Sequence, residues 1–193
     1  MKKELVVQVV LYKLLFGDMT GNAFSLGEEL ELRKVEYKLH RDLWNKFNFP
    51  NLDLTFANWT EIKYLNADAD ALETDVENIP DDKGGLYMFY VKCEVISGIT
   101  EYPLYIGRAQ KTQTQNLKKR VKEYFQHFSK DNERPKITRM FKYWANDLHL
   151  AYVTVDENDE IKDLEKHLIN SLLLPMNTEI PDTEIKQAIK AFQ

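Results

Sequence analysis

Asn116, Arg120, Tyr124 and His127 stand at i, i+4, i+8 and i+11, a spacing that gathers them on one side of a helix. Arginine and tyrosine one turn apart suit two sides of a phosphate: the guanidinium offers paired N–H donors and the phenol its O–H. Further along, Ile161, Leu164, Leu168 and Leu172 mark the apolar stripe of a second helix, and Glu165 sits at the edge of that stripe. A carboxylate there either reaches solvent or serves a site. A hard cation such as Mg²⁺ often takes one protein carboxylate, with waters and a substrate phosphate completing its octahedron. Two tyrosines precede the first helix, Tyr87 in Gly85-Leu86-Tyr87 and Tyr105 in Tyr105-Ile106-Gly107-Arg108. Singly, each residue has a plainer reading: strand tyrosines pack, Arg120 and Glu165 lie on solvated faces, and Asn177 after Pro175 belongs to a turn.

The elements that must position these groups follow from periodicity. Residues 86–92 and 103–106 are rich in β-formers and read as two strands joined by a long loop. Residues 115–129 carry the stripe Leu117, Val121, Phe125 and Phe128 and predict an amphipathic helix. A helix over 136–145 follows Pro135, a residue suited to a first turn. Leu148 to Val155 reads as a third strand, and the acidic cluster 156–159 caps a helix running to Leu173. The order is β-β-α-α-β-α. Upstream, Met1 to Phe16 is apolar without a clear period, residues 17–27 are turn-rich, and residues 25–48 predict one helix on the stripe Leu32, Val35, Leu39, Leu43 and Phe47. Residues 51–66 read as irregular or strand-like, and the acidic run 68–82 as a linker, which places a boundary near residue 78.

Composition excludes some classes. With 44% apolar and 12% aromatic residues, the chain lies outside the disordered corner of composition space. Cys93 is the only cysteine, which rules out an internal disulfide or a thiolate zinc cluster and favours a reducing, cytoplasmic setting. Glu4, Gln8 and Lys13 interrupt the first apolar run, so no membrane span is expected there. Net charge is −5, yet residues 108–142 hold eleven Lys and Arg against three Asp and Glu, a local +8. Such a run is commonly a solvated helix face; beside the Arg120/Tyr124 pair it also fits a phosphate track.

In this order the residues resemble the GIY-YIG nucleases, closest to the UvrC-like wording: Tyr-Ile-Gly-Arg-Ala, then Leu-Lys-Lys-Arg-Val followed by Tyr-Phe. The resemblance covers residues 80–180. Tyr87 matches the tyrosine of the first triplet, and Tyr105 and Gly107 match the second. Arg120 and Tyr124 match the helix pair, Glu165 the metal-binding glutamate, and Asn177 the asparagine after the last helix. Arg108 stands where lysine is common, and the connection from Tyr87 to Tyr105 is longer than usual. Extra loop length costs little, whereas arginine gives up lysine's readiness to lose a proton.

The resemblance implies an α+β fold, a small α/β/α sandwich with a three-stranded mixed sheet over residues 79–181. A mainly helical extension over 1–78 would precede it and a helical tail over 182–193 would follow. The implied activity is metal-dependent endonucleolytic hydrolysis of DNA, with RNA open as a substrate and restriction or defence as the expected setting. Tyr87, Tyr105, Arg108, Arg120, Tyr124 and Glu165 would be catalytic. Arg108, Lys119, Arg120 and Asn177 would bind phosphate, and Glu165 would hold one Mg²⁺ or Mn²⁺. Tyr87 would activate or position water as base, which requires nearby cations to lower its phenol. His127 is a secondary candidate. The acidic first 80 residues would select the target, bring two copies together, or both. A catalytically silent nucleic-acid-binding or protein-interaction module on the same scaffold is the competing expectation.

Overall fold

The computed structural model describes residues 23–47, 53–96 and 98–192. By compactness the chain divides between Val35 and Glu36. In the first unit, helix α1 (Ala23–Arg33) buries none of its residues. Residues 1–22, which hold the apolar stretch and the start of the turn-rich segment, lie outside the described residues. The helix expected over 25–48 is interrupted, because residues 34–40 are not helical and α2 (Arg41–Lys46) is short. Over 34–38, exposed Lys34, Glu36 and Lys38 alternate with partly buried Val35 and Tyr37, a period of two rather than 3.6. Leu32 and Leu39 stay largely exposed. Phe47, at the end of the stripe, packs edge-on against His167 with ring centroids 5.5 Å apart.

The second unit is mixed α and β around an open four-stranded sheet in which every pairing is antiparallel. Its strands are β1 (Thr60–Lys63), β2 (Gly84–Lys92), β3 (Glu101–Ala109) and β4 (Leu148–Val155), in spatial order β1-β4-β2-β3. Helices α3 (Leu117–Phe128) and α4 (Pro135–Trp144) connect β3 to β4, and α5 (Asn158–Leu172) and α6 (Thr183–Ala191) follow. Two expectations are corrected. The sheet is wholly antiparallel rather than mixed, since β4 runs opposite to both of its neighbours. It also has a fourth strand, β1, supplied by a segment read as irregular or strand-like. The acidic run 68–82 is not a loose linker either: Leu65 bridges Leu72, and Val76 and Ile79 are fully buried. Two apolar side chains three apart outweigh the surrounding charge because only they need cover from water.

Side-chain alternation sorts the sheet's faces. On one face Leu86 packs with Val155, Ile161 and Leu164, and Ile106 with Ile169 and Leu174, so α5 covers it. On the other, Phe89 meets Tyr124 of α3 with ring centroids 5.3 Å apart and Tyr64 at 4.8 Å. The buried Tyr64 hydroxyl donates to the Val121 carbonyl at 2.7 Å and fixes the height of α3 over the sheet. Local chemistry sets the helix ends. The Asn116 side chain accepts from the Lys119 amide at 2.8 Å, the N-cap pattern, and Pro135 occupies the first turn of α4. Among the described residues no helix is long and apolar enough to cross a membrane.

The exit of α5 secures the sheet's outer strand. Leu173 adopts a left-handed conformation, φ 46°, which turns the chain back along β3. The Met176 amide donates to the Leu104 carbonyl at 2.9 Å. Buried Asn177 then accepts from the Ile106 amide at 3.0 Å and donates to the Ile106 carbonyl at 2.8 Å. One side-chain amide thus stands in for a neighbouring strand. Asn177→Ala is expected to cost about 1–3 kcal/mol, because it strands both backbone groups away from water. A urea unfolding midpoint equal to that of the wild type would contradict this.

Candidate active site

The antiparallel register sets Tyr87 opposite Gly107 and Phe89 opposite Tyr105. Position 107 admits no side chain: a Cβ there would lie 2.6 Å from the Tyr87 hydroxyl and 2.7 Å from its ring carbon Cζ. Glycine lets the Tyr87 ring lie flat over β3 and aim its hydroxyl toward α3. Gly85 serves the neighbouring pair, since a Cβ would collide with the Val153 carbonyl.

The result is a string of three buried phenols. The Tyr87 and Tyr124 hydroxyls are 2.8 Å apart, and the Tyr124 hydroxyl donates to that of Tyr105 at 3.1 Å. Arg120 stacks on Tyr124, its guanidinium carbon 5.1 Å from the ring centroid. Its Nη1 donates to Glu123 at 2.9 Å, and Gln115 holds the other oxygen of Glu123. The expected Arg120/Tyr124 face therefore forms, with Glu123 as the group that orients the guanidinium.

Arg108 and Glu165 form a second cluster. Opposite Leu86 in register, Arg108 points to the α5 side, and its Nε lies 2.6 Å from the Glu165 carboxylate. The tyrosines and this ion pair thus occupy opposite faces of the edge strand β3. Arg120 links them electrostatically, because its charge stabilises the ionised form of both Tyr87 and Glu165.

Burial dominates the protonation of both clusters. Desolvation, followed by the neighbouring Tyr105, drives the Tyr87 phenol well above its ordinary value, against the smaller opposing pull of Arg120. Tyr124 is raised by the same causes. The lowering by cations that a tyrosine base requires does not prevail, so Tyr87 is a protonated, positioned hydroxyl. Glu165 is likewise raised, by burial first, with Arg108 and then Arg120 opposing.

The remaining expected residues divide. Lys119 is exposed, with its ammonium on the Thr114 carbonyl at 2.5 Å. Asn116 is spent on its cap, and His127 lies at the surface, 3.6 Å from Glu133. Asn177, expected at phosphate, uses one bond from each amide atom to hold the Ile106 backbone, which leaves one further acceptor and one further donor position on its side chain. Among the described residues no three His, Cys, Asp or Glu side chains gather to hold a metal. Sequence reasoning passed over Arg134, whose guanidinium carbon lies 5.5 Å from the Tyr105 ring and 5.8 Å from Tyr124. Its only signal was membership of the basic segment.

Two measurements check this geometry. Gly107→Ala is expected to destabilise by about 1–3 kcal/mol, since the new methyl must displace an aromatic ring in a packed core; an unchanged thermal midpoint would refute the contact. Because the folded phenol of Tyr87 is raised above its unfolded value near 10, its contribution to stability is complete below pH about 10 and is lost as pH rises beyond it. Tyr87→Phe should flatten the alkaline loss of stability, by up to about 1.4 kcal/mol per pH unit. Melts recorded across that range would show equal slopes if Tyr87 is not held protonated.

Comparison of the chain with protein-family models, with curated proteins and with solved structures gives no match in any of the three.

Proposed function

We propose that this chain is a metal-dependent endonuclease of GIY-YIG type that hydrolyses phosphodiester bonds in DNA. The observation that carries the reading is the contact string Arg120–Tyr124–Tyr87, with Tyr105 bonded to Tyr124, beside the Arg108–Glu165 pair. Tyrosine hydroxyls bonded to one another and flanked by guanidiniums form an anion-seeking arrangement. The surrounding segment 108–142 supplies its +8 within an otherwise acidic chain.

In this reading Arg120, oriented by Glu123, grips a non-bridging phosphate oxygen and stabilises charge that builds in the transition state. The phenols act as a neutral relay of hydrogen bonds: Tyr124 donates to Tyr105, so the Tyr105 hydroxyl at the end of the string is the one whose proton is left to order water or phosphate. Arg108 exchanges part of its contact with Glu165 for the substrate's negative charge. Glu165 would hold Mg²⁺ or Mn²⁺ through its carboxylate, the hard oxygen ligand such cations take, with waters and substrate phosphate completing the shell. A bound ion would supply Lewis-acid stabilisation of the departing oxygen.

One observation favours a second reading, a silent nucleic-acid-binding module. The 2.6 Å contact to Arg108 already neutralises Glu165. Both readings meet in one assay, nicking of plasmid and branched DNA with Mg²⁺, Mn²⁺ or EDTA. The endonuclease should cut with either metal and stop in EDTA, and Glu165→Gln and Arg120→Ala should each lower the rate on the order of 100-fold or more. Binding without cleavage under every condition would favour the silent module, and a Glu165→Gln variant as active as wild type would remove the metal role.

A further inference from the structure

We infer that Arg134 is a second anion-binding group of this site, taking a phosphate next to the one held by Arg120 on the same strand. The inference rests on the endonuclease reading and states how such a site selects a polynucleotide over an isolated phosphate ester.

Arg134 and Arg120 share one aromatic ring. Their guanidinium carbons lie 5.8 and 5.1 Å from the Tyr124 centroid, so they stand no more than about 11 Å apart. A duplex strand advances about 3.4 Å per phosphate along its axis and turns as it does so, so neighbouring phosphates are separated by more than this rise and still fit within the bound. The two cations differ in depth: the Arg120 side chain is 33% exposed and that of Arg134 47%. Arg120 is the inner grip, and Arg134 stands at the rim, over Tyr105 and Tyr124.

Arg134 is also held in place before any ligand arrives. Its Nε donates to Glu133 at 3.2 Å, and the Glu133 side chain is only 4% exposed. The flat faces of Tyr105 and Tyr124 restrict the guanidinium plane further. A residue needed only to cap the tyrosines would gain from deeper burial. Instead the cationic fork stays at the surface, at the mouth of the phenol string and within the basic segment. A guanidinium held by Glu133 and Tyr105 on a side chain that stays 47% exposed suits capture of a phosphate by its remaining donors.

The test is equilibrium binding of a fluorescein-labelled DNA duplex to the full chain in EDTA, followed by anisotropy across a series of salt concentrations. The wild type should bind, and Arg134→Ala should weaken binding several-fold while reducing the slope of log affinity against log salt by about 0.9. Arg134→Lys should keep the slope, because the charge remains. Arg134→Gln, which retains the stem that packs on the rings, replaces the alanine variant if that one fails to fold. A wild-type slope in the alanine or glutamine variant, even with weaker binding, overturns the inference and leaves the endonuclease reading intact. A wild type that binds no duplex at any salt overturns that reading, and this inference with it.

Discussion

Three phenol hydroxyls, those of Tyr87, Tyr124 and Tyr105, are enclosed between the sheet and α3, where an unbonded polar group costs on the order of 1–3 kcal/mol. They meet that cost by bonding to one another. This constraint reaches into the rest of the unit. The hydroxyls meet only if β2 and β3 keep a register with Tyr87 over Gly107, and only if α3 rides at the height that the Tyr64 to Val121 bond imposes. A slip of one residue in β2 would send Tyr87 to the opposite face. The glycine, the register and the helix position are therefore one linked solution.

The same burial decides the electrostatics. Phenols this deep stay protonated, so the chemistry open to them is hydrogen bonding rather than proton abstraction at neutral pH. Charge at the site comes instead from guanidiniums, which do not lose their protons. Arg120 and Arg134 flank Tyr124, and Arg108 answers Glu165 on the other side of β3. Each arginine has an acidic partner, Glu123, Glu133 or Glu165, which holds it in one geometry while leaving the segment positive overall. An edge strand brings these groups together because both of its faces lie close to its rim. Asn177 completes that arrangement by bonding the outer backbone groups of buried Ile106, the side of β3 that faces away from β2.

Much of this could be read from the residues. Stripes at i, i+3 and i+4 located α3 and α5, Pro135 marked the start of α4, and β-rich runs located β2, β3 and β4, because each element must turn its apolar residues toward one core. The pairing of Arg120 with Tyr124 was legible for the same reason, as helical spacing is local. The N-terminal stripe misled, since between α1 and α2 the burial alternates every second residue, a pattern that spacing at i, i+3 and i+4 alone did not reveal. Val76 and Ile79 were hidden for another reason: two apolar side chains in an acidic run resemble a linker until they are seen under α3.

What the sequence determined by itself is therefore the run of strands and helices between residues 86 and 173, their polarity and the residue types able to handle phosphate. Tertiary structure alone decided the tasks that depend on which surfaces meet. It spent Asn177 on a strand edge, drew Thr60–Lys63 into the sheet, set Glu165 against Arg108 and placed Arg134 over two tyrosines 29 and 10 residues away. Periodicity encodes the direction in which a side chain faces, while its partner, its desolvation and hence its protonation are fixed only when distant segments pack against it.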